Sequence, residues 1–145
     1  MEISLNSNLE GISKKVSNQG KELKGSVKGA LLKTALHGIN VIEDRTAENR
    51  GLKGRFPKYS EKYLEFRREN GRGKNVDLQF TGKMLGSMSA ISTNTYAEIY
   101  FMRGAEAKKA AGVGQKRPFF GFSRKEKHRL AEFLFKALKW ALEKR

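Results

Sequence analysis

Apolar residues recur at three- and four-residue steps in two long stretches of this chain. The first series runs from Leu23 to Ile42 and predicts a long N-terminal helix from about Lys21 to Glu48. The second series runs from Leu130 to Ala141 and predicts an amphipathic C-terminal helix from Arg124 to Arg145. Two long helices are therefore expected to flank the middle of the chain.

A capping sequence marks the start of the second helix. Ser123 is followed three residues later by Glu126, so the serine hydroxyl can accept from the Glu126 amide while the carboxylate accepts from the Ser123 amide. Directly before it, Arg117–Ser123 places three phenylalanines within four residues. Because Pro118 fixes its own φ and favours an extended residue before it, we expect this segment to be a short strand or an extended arm.

Alternation of apolar and polar residues predicts a small antiparallel sheet in the middle of the chain. Val76–Phe80 alternates as a half-buried strand does, and Lys83–Ser87 is predicted to form one helical turn. Two further strands, Met88–Thr93 and Thr95–Met102, are predicted to form a hairpin. Arg103–Gly114 is rich in Ala, Lys and Gly and is predicted to be a mobile excursion.

Glycines and basic residues mark the predicted loops. Asn49–Pro57 and Arg67–Lys74 are expected to be exposed loops, the second flexible and basic, with a short helix after Ser60 between them. Residues 1–20 are expected to form either a loosely ordered lead-in or, through their spaced apolar residues, an early strand or a short helix. The pattern as a whole predicts an α+β fold in a single domain over residues 1–145.

Positive charge dominates the composition and is unevenly distributed. The net charge is +15, and residues 50–75 hold nine Lys/Arg against three Asp/Glu, while residues 103–145 hold thirteen against four. Residues 76–102 hold one Lys against two acidic residues and are expected to form the core of the sheet. A chain of this charge attracts acidic proteins, nucleic acid or anionic membranes. It has no apolar run long enough to span a bilayer, so a soluble, cytosolic-type protein without a membrane partner is predicted.

Candidate catalytic residues are few. The chain has no cysteine, which excludes thiolate chemistry, and His37 and His128 lie far apart in sequence without metal-ligand spacing. Glu43, Asp44 and Glu48 form an acidic cluster, in which only Asp44 and Glu48 share a helix face. Such a pair is more simply a solvated surface feature. Phosphate-binding and nucleophile motifs are absent from the sequence. We therefore predict no enzyme activity, no cofactor and no metal site.

Two groups of residues remain as candidates for binding. The aromatic segment either completes the core of its own subunit or contacts another protein. The basic loops carry aromatic residues between their cations and either are solvated or contact DNA or an acidic protein surface. Their cations are Arg50, Lys53, Arg55, Arg67, Arg68, Arg72 and Lys74.

The order of several short blocks resembles the tailed-phage virion-morphogenesis or tail-completion proteins, a group that is also similar to small head-tail joining proteins. The likeness covers roughly residues 40 to 140. The first block is Arg45 through Gly51, with Gly54, Phe56, Pro57, Tyr59 and Ser60. The second consists of Leu78, Thr81, Gly82, Met84, Leu85 and Ser87. A hairpin, the block Arg117–Ser123 and a terminal helix follow.

The resemblance implies a structural protein of the virion, at the neck or the end of the tail, that is present in the host cytoplasm during assembly. It implies a homo-oligomeric ring, as a hexamer or dodecamer, that docks between the head connector or adaptor and the tail terminator or tail tube. It also implies that the protein has no active site.

On this basis the aromatic segment is predicted to reach an adjacent subunit or the connector. The predicted interface residues are Arg117, Pro118, Phe119, Phe120 and Phe122. The basic loops are predicted to face acidic protein surfaces or DNA passing through the channel. Two other functions stay open: a basic nucleic-acid-binding accessory protein, and a small nuclease that uses Asp44 with magnesium.

Overall fold

The computed structural model describes residues 3–4, 21–79 and 82–144. It confirms the α+β class, with a long N-terminal helix, small antiparallel sheets and a C-terminal helix. The helices are α1 (Lys21–Ala47), α2 (Glu61–Glu69), α3 (Lys83–Gly86), α4 (Gly104–Lys116) and α5 (Arg124–Glu143). The strands are β1 (Ile3–Ser4), β2 (Arg50–Gly51), β3 (Gly54–Arg55), β4 (Met88–Ser92) and β5 (Ala97–Phe101).

Helix α1 is the centre of the fold because it packs on both the sheet and α5. Its apolar stripe, which includes Val27, Leu31 and Ile42, is buried. Gly38 lets the helix approach closely, since a Cβ at this position would lie 2.8 Å from the Phe122 ring. The predicted helix is therefore confirmed, and its glycine at position 38 has a packing reason.

Helix α5 runs antiparallel to α1. The rings of His37 and Phe133 stack with their centroids 4.5 Å apart, and Arg45 further along α1 pairs with Glu126 near the start of α5. The predicted capping box is present, with the Ser123 hydroxyl accepting from the Glu126 amide at 3.2 Å. The start of α5 at Arg124 is thus confirmed.

The larger sheet has the strand order β1-β5-β4, and both pairs of neighbouring strands are antiparallel. Strands β4 and β5 form the predicted hairpin, with Met88 opposite Phe101 and Ser92 opposite Ala97. The β5 residues Ala97, Ile99 and Phe101 are buried in the core. Helix α1 covers this face of the sheet, which places the hairpin at the centre of the core.

Several predictions of local structure differ from the structure. The described residues 76–79 form no strand, and Leu78 has a left-handed φ of 60°. Residues 103–114 are not a mobile excursion, since nearly all of them belong to α4, whose Ala and Lys residues favour a helix. The loop after α1 contains the two-stranded ribbon β2–β3, and α2 extends through Arg67 to Glu69, into the predicted second loop.

The predicted lead-in lies outside the described residues apart from β1. That strand pairs with β5 through Ile3 opposite Ile99 and Ser4 opposite Glu98. In the part of the chain that the structure describes, no helix is long and apolar enough to cross a membrane.

Candidate interaction surfaces

The aromatic segment packs into the core of its own chain. After α4 the chain follows an irregular path through residues 117–123, so the predicted strand or extended arm is wrong. Phe119 and Phe122 are buried, and Phe120 packs against Phe101 with ring centroids 4.9 Å apart. Phe119 and Phe122 therefore belong to the core of their own chain, and Phe120 packs against that core while it stays partly exposed.

Arg45, in the last turn of α1, holds this segment in place. Its buried guanidinium donates to the carbonyl oxygens of Phe119 and Gly121 and forms an ion pair with Glu126. The same Glu126 carboxylate accepts from the Ser123 amide at 2.8 Å. One carboxylate thus serves the helix cap and the ion pair, which ties the end of α1 to the start of α5.

The β2–β3 ribbon fixes the same segment from another side. The Leu52 amide donates to the Pro118 carbonyl at 2.9 Å. A Cβ on Gly51 would lie 2.4 Å from that carbonyl oxygen and 2.4 Å from the Phe56 ring. A Cβ on Gly121 would lie 3.0 Å from the Leu52 side chain. These two glycines allow the close approach of ribbon and segment.

Arg117 also binds within its own chain. Its guanidinium donates to the carbonyl oxygens of Pro57 and Lys58 at 3.0 and 2.9 Å. It lies over the Tyr59 ring, 4.8 Å from the centroid. All five residues of the predicted interface are therefore partly or fully covered by their own chain.

Arg67 is the one predicted binding cation that is buried. It is 2% exposed, and it donates to the carbonyl oxygens of Gly73 at 3.0 Å and Gln79 at 3.1 Å. Its guanidinium also lies 3.5 Å from a carboxylate oxygen of Asp77 and 5.0 Å from the Tyr59 ring centroid. Arg67 therefore organises the loop after α2 and is unavailable to a partner.

The other predicted cations are exposed. One of them, Arg50, forms an exposed ion pair with Glu48. The exposed set consists of Arg50, Lys53, Arg55, Arg68, Arg72 and Lys74. These residues, unlike Arg67, are placed where a partner can reach them.

The acidic cluster near the end of α1 does not converge on a metal site. Burial, together with the neighbouring Asp44 carboxylate, raises the pKa of Glu43 above its ordinary value. Asp44 is exposed, and Glu48 is committed to Arg50. No group of three or more metal-binding side chains occurs among residues 3–4, 21–79 and 82–144.

A cleft that the sequence analysis missed lies between α2, α3 and α4, with a volume of about 460 Å³. Glu106 of α4 is buried there and pairs with Lys109 at 3.3 Å, while its Oε2 atom has no hydrogen-bond partner among the described residues. One face of α4 lines the cleft with Glu106, Lys109, Val113 and Lys116. The steps of three and four residues between them are the sequence signal for a shared helix face, but the prediction of a mobile excursion at residues 103–114 left no helix on which to place them.

Several large apolar side chains remain on the surface of the described chain. Phe135 and Met102 are 63% and 62% exposed, and Ile91 is 48% exposed. Trp140 is also exposed, but Lys33 and Lys144 lie over its ring at 5.0 and 4.2 Å from the centroid. Apolar side chains scattered singly are normal on a protein surface, so these exposures alone do not mark an interface.

The chain matches no protein-family model, no curated protein and no solved structure.

Proposed function

We propose that this protein is a structural virion protein of a tailed bacteriophage. In this proposal it completes the tail or joins head and tail at the neck, as a ring of six or twelve copies between the connector or adaptor and the tail terminator or tube. The protein carries out no reaction. Its role is to provide a surface of fixed geometry on which two larger assemblies meet.

The observation that carries the proposal is the way in which distant sequence blocks interlock. Arg45 and Gly51 belong to the first block of the resemblance, and Pro118 and Gly121 belong to the last. In the fold, the arginine donates to the Gly121 carbonyl, and the Gly51 backbone lies against the Pro118 carbonyl. The resemblance therefore follows residues that the fold requires at these positions, which supports a shared framework more strongly than separate short motifs do.

The charge distribution supports a partner of opposite sign. Arg45, Arg67 and Arg117 are engaged by their own chain, whereas Lys53, Arg55 and Lys74 are exposed where a partner can reach them. Complementary charge increases the rate of encounter and fixes orientation, which suits docking onto acidic faces of a connector or tail protein.

Negative-stain electron microscopy and sedimentation velocity of the purified protein test this proposal. The expected result is closed rings of uniform copy number in physiological salt. A species that remains monomeric over a hundredfold range of protein concentration would contradict it.

A nucleic-acid-binding accessory protein is the second candidate, favoured by the exposed cations Lys53, Arg55 and Arg68. Its test is binding to duplex DNA at several salt concentrations, since each phosphate contact adds to the salt dependence. If this candidate is correct, reversing the charge at Lys53 and Arg68 should remove about two phosphate contacts and lower the slope of log K against log salt concentration by about two. Steep binding to DNA combined with the absence of rings would favour this function over the first.

A further inference from the structure

Strand β4 forms an edge of the larger sheet, and its two ends show how its hydrogen bonds alternate. Within the described residues it pairs only with β5. At one end the Thr93 amide donates to the Tyr96 carbonyl at 2.8 Å, and at the other the Met102 amide donates to the Ser87 carbonyl at 2.8 Å. Both are hydrogen-bonded pairs, and such pairs alternate along an antiparallel ladder.

The alternation identifies the backbone groups that point away from β5. Since residues 87 and 93 face β5, Ser89 and Ile91 between them also face it. The amides and carbonyls of Met88, Ala90 and Ser92 therefore point to the outer edge, where no described residue pairs with them. Among the described residues, the backbone donors and acceptors of these three residues are therefore unpaired along this edge.

The outer edge of β4 lacks the features that usually protect an edge strand. Its sequence, Met88–Ser92, contains no charged residue and no proline, and its register with β5 is continuous without a bulge. Ile91 is 48% exposed on the face away from α1. Natural proteins normally block such an edge by charge, proline, a bulge or cover, because it is a template for pairing with another strand.

Charge indicates what pairs with this edge. The chain carries a net charge of +15, so two copies repel each other over most of their surface. Residues 76–102, which include β4, contain only Lys83 as a cation, against Asp77 and Glu98. Strand β4 itself therefore adds no cation to a contact between two copies, while the exposed Lys28 of α1 lies beside its end, where the Lys28 carbonyl accepts from the Ser92 hydroxyl.

We infer that the outer edge of β4 pairs with a strand of a second copy of this chain and is the joint between ring subunits. The inference rests on the proposed function. A ring needs a heterologous contact, so β4 pairs with a different strand of the next copy, because pairing of two β4 edges closes a dimer. The opposite edge of the described sheet is β1, which allows the sheet to continue from one subunit to the next.

Replacing Ala90 with proline tests the joint with little change to the subunit. The Ala90 amide points outward, so proline removes an intermolecular donor while the ladder to β5 keeps its hydrogen bonds. The matched control is Ala105→Pro, an exposed position in the first turn of α4, where the amide has no intrahelical partner. Sedimentation velocity should show rings for the wild type and for the control, and monomers with an unchanged circular dichroism spectrum for Ala90→Pro.

Two further measurements apply if Ala90→Pro fails to fold. Ile91→Lys keeps every backbone group and adds a charge to the edge, so it should also reduce the ring fraction at least tenfold. Hydrogen exchange should show the Ala90 and Ser92 amides at least tenfold slower in wild-type rings than in dissociated protein.

Different results would overturn the β4 joint alone or the joint together with the proposed function. Rings that persist with Ala90→Pro or Ile91→Lys, or that show no added protection at Ala90 and Ser92, would overturn the β4 joint and leave the ring proposal standing. Equal loss of rings in Ala105→Pro would also overturn it, since the effect would then not belong to the edge. A wild type that never assembles would overturn both.

Discussion

The role assigned to Arg45 gives a prediction whose size follows from the structure. Arg45→Met keeps an aliphatic side chain of similar length but removes the guanidinium. The substitution breaks the ion pair with Glu126 and leaves the Phe119 and Gly121 carbonyls without this donor. Removing one partner of a buried ion pair costs about 3–5 kcal/mol.

The expected value lies at the lower end of that range. The Glu126 side chain is 15% exposed, so water reaches it in part, and it retains the hydrogen bond from the Ser123 amide. A loss of about 3 kcal/mol is a large part of a total stability of about 5–15 kcal/mol. With a urea dependence of about 2 kcal/mol per molar, the unfolding midpoint should fall by about 1.5 M.

Urea titration followed by circular dichroism measures this shift, and Arg50→Met is the matched control. Arg50 also forms an ion pair, with Glu48, but both side chains are more than half exposed. Exposed pairs contribute about 0–1 kcal/mol, so the control should move the midpoint by less than about 0.5 M. Equal shifts for the two variants would refute the role of Arg45 as a buried clamp.

Three other substitutions test neighbouring features by the same titration. Gly51→Ala should destabilise the protein by about 1–3 kcal/mol because its new methyl group meets a ring and a backbone carbonyl at 2.4 Å. The control Gly86→Ala, with nothing within 4 Å, should be neutral or slightly stabilising, and equal effects would refute the close approach. Arg67→Lys should cost about 2 kcal/mol because one ammonium cannot replace the donors of a buried guanidinium, whereas Arg68→Lys should stay within about 0.5 kcal/mol. Similar losses at both positions would contradict the buried role. The raised pKa of Glu43 means that the folded state holds this proton to higher pH than the unfolded state, so its contribution to stability is lost as pH rises from 4.5 through the folded pKa. Glu43→Gln should therefore be more stable than the wild type at pH 7 but not below pH 4, and a difference independent of pH would contradict this reasoning.

The elements set by local chemistry could be predicted from the sequence. The period of apolar residues predicted α1, and the serine-glutamate pair at positions 123 and 126 predicted the start of α5. The hairpin of β4 and β5 follows from alternation and a two-residue connection between Thr93 and Tyr96. In each of these cases the deciding interactions lie within a few residues of one another.

The features that were missed depend on contacts between distant residues. Val76 and Leu78 alternate with polar residues as a strand does. The carbonyl oxygens of Gly73 and Gln79, before and after them, nevertheless accept from the Arg67 guanidinium and not from a neighbouring strand. Charged residues are normally exposed, so nothing local reveals that Arg45 and Arg67 are buried. The destination of the Phe119 ring likewise depends on α1 and the β2–β3 ribbon, which precede it by more than sixty residues.

The central claim, that this protein joins heads to tails as a structural ring, is tested most directly on virus particles. Tailed phage are assembled with the gene for this chain disrupted, and the products are examined by electron microscopy and plaque titre before and after purified protein is added. Without this chain, filled heads should remain separate from tails, and the plaque titre should recover by at least a hundredfold when wild-type protein is added. Joined, infectious particles assembled without this chain would show that it does not join head and tail.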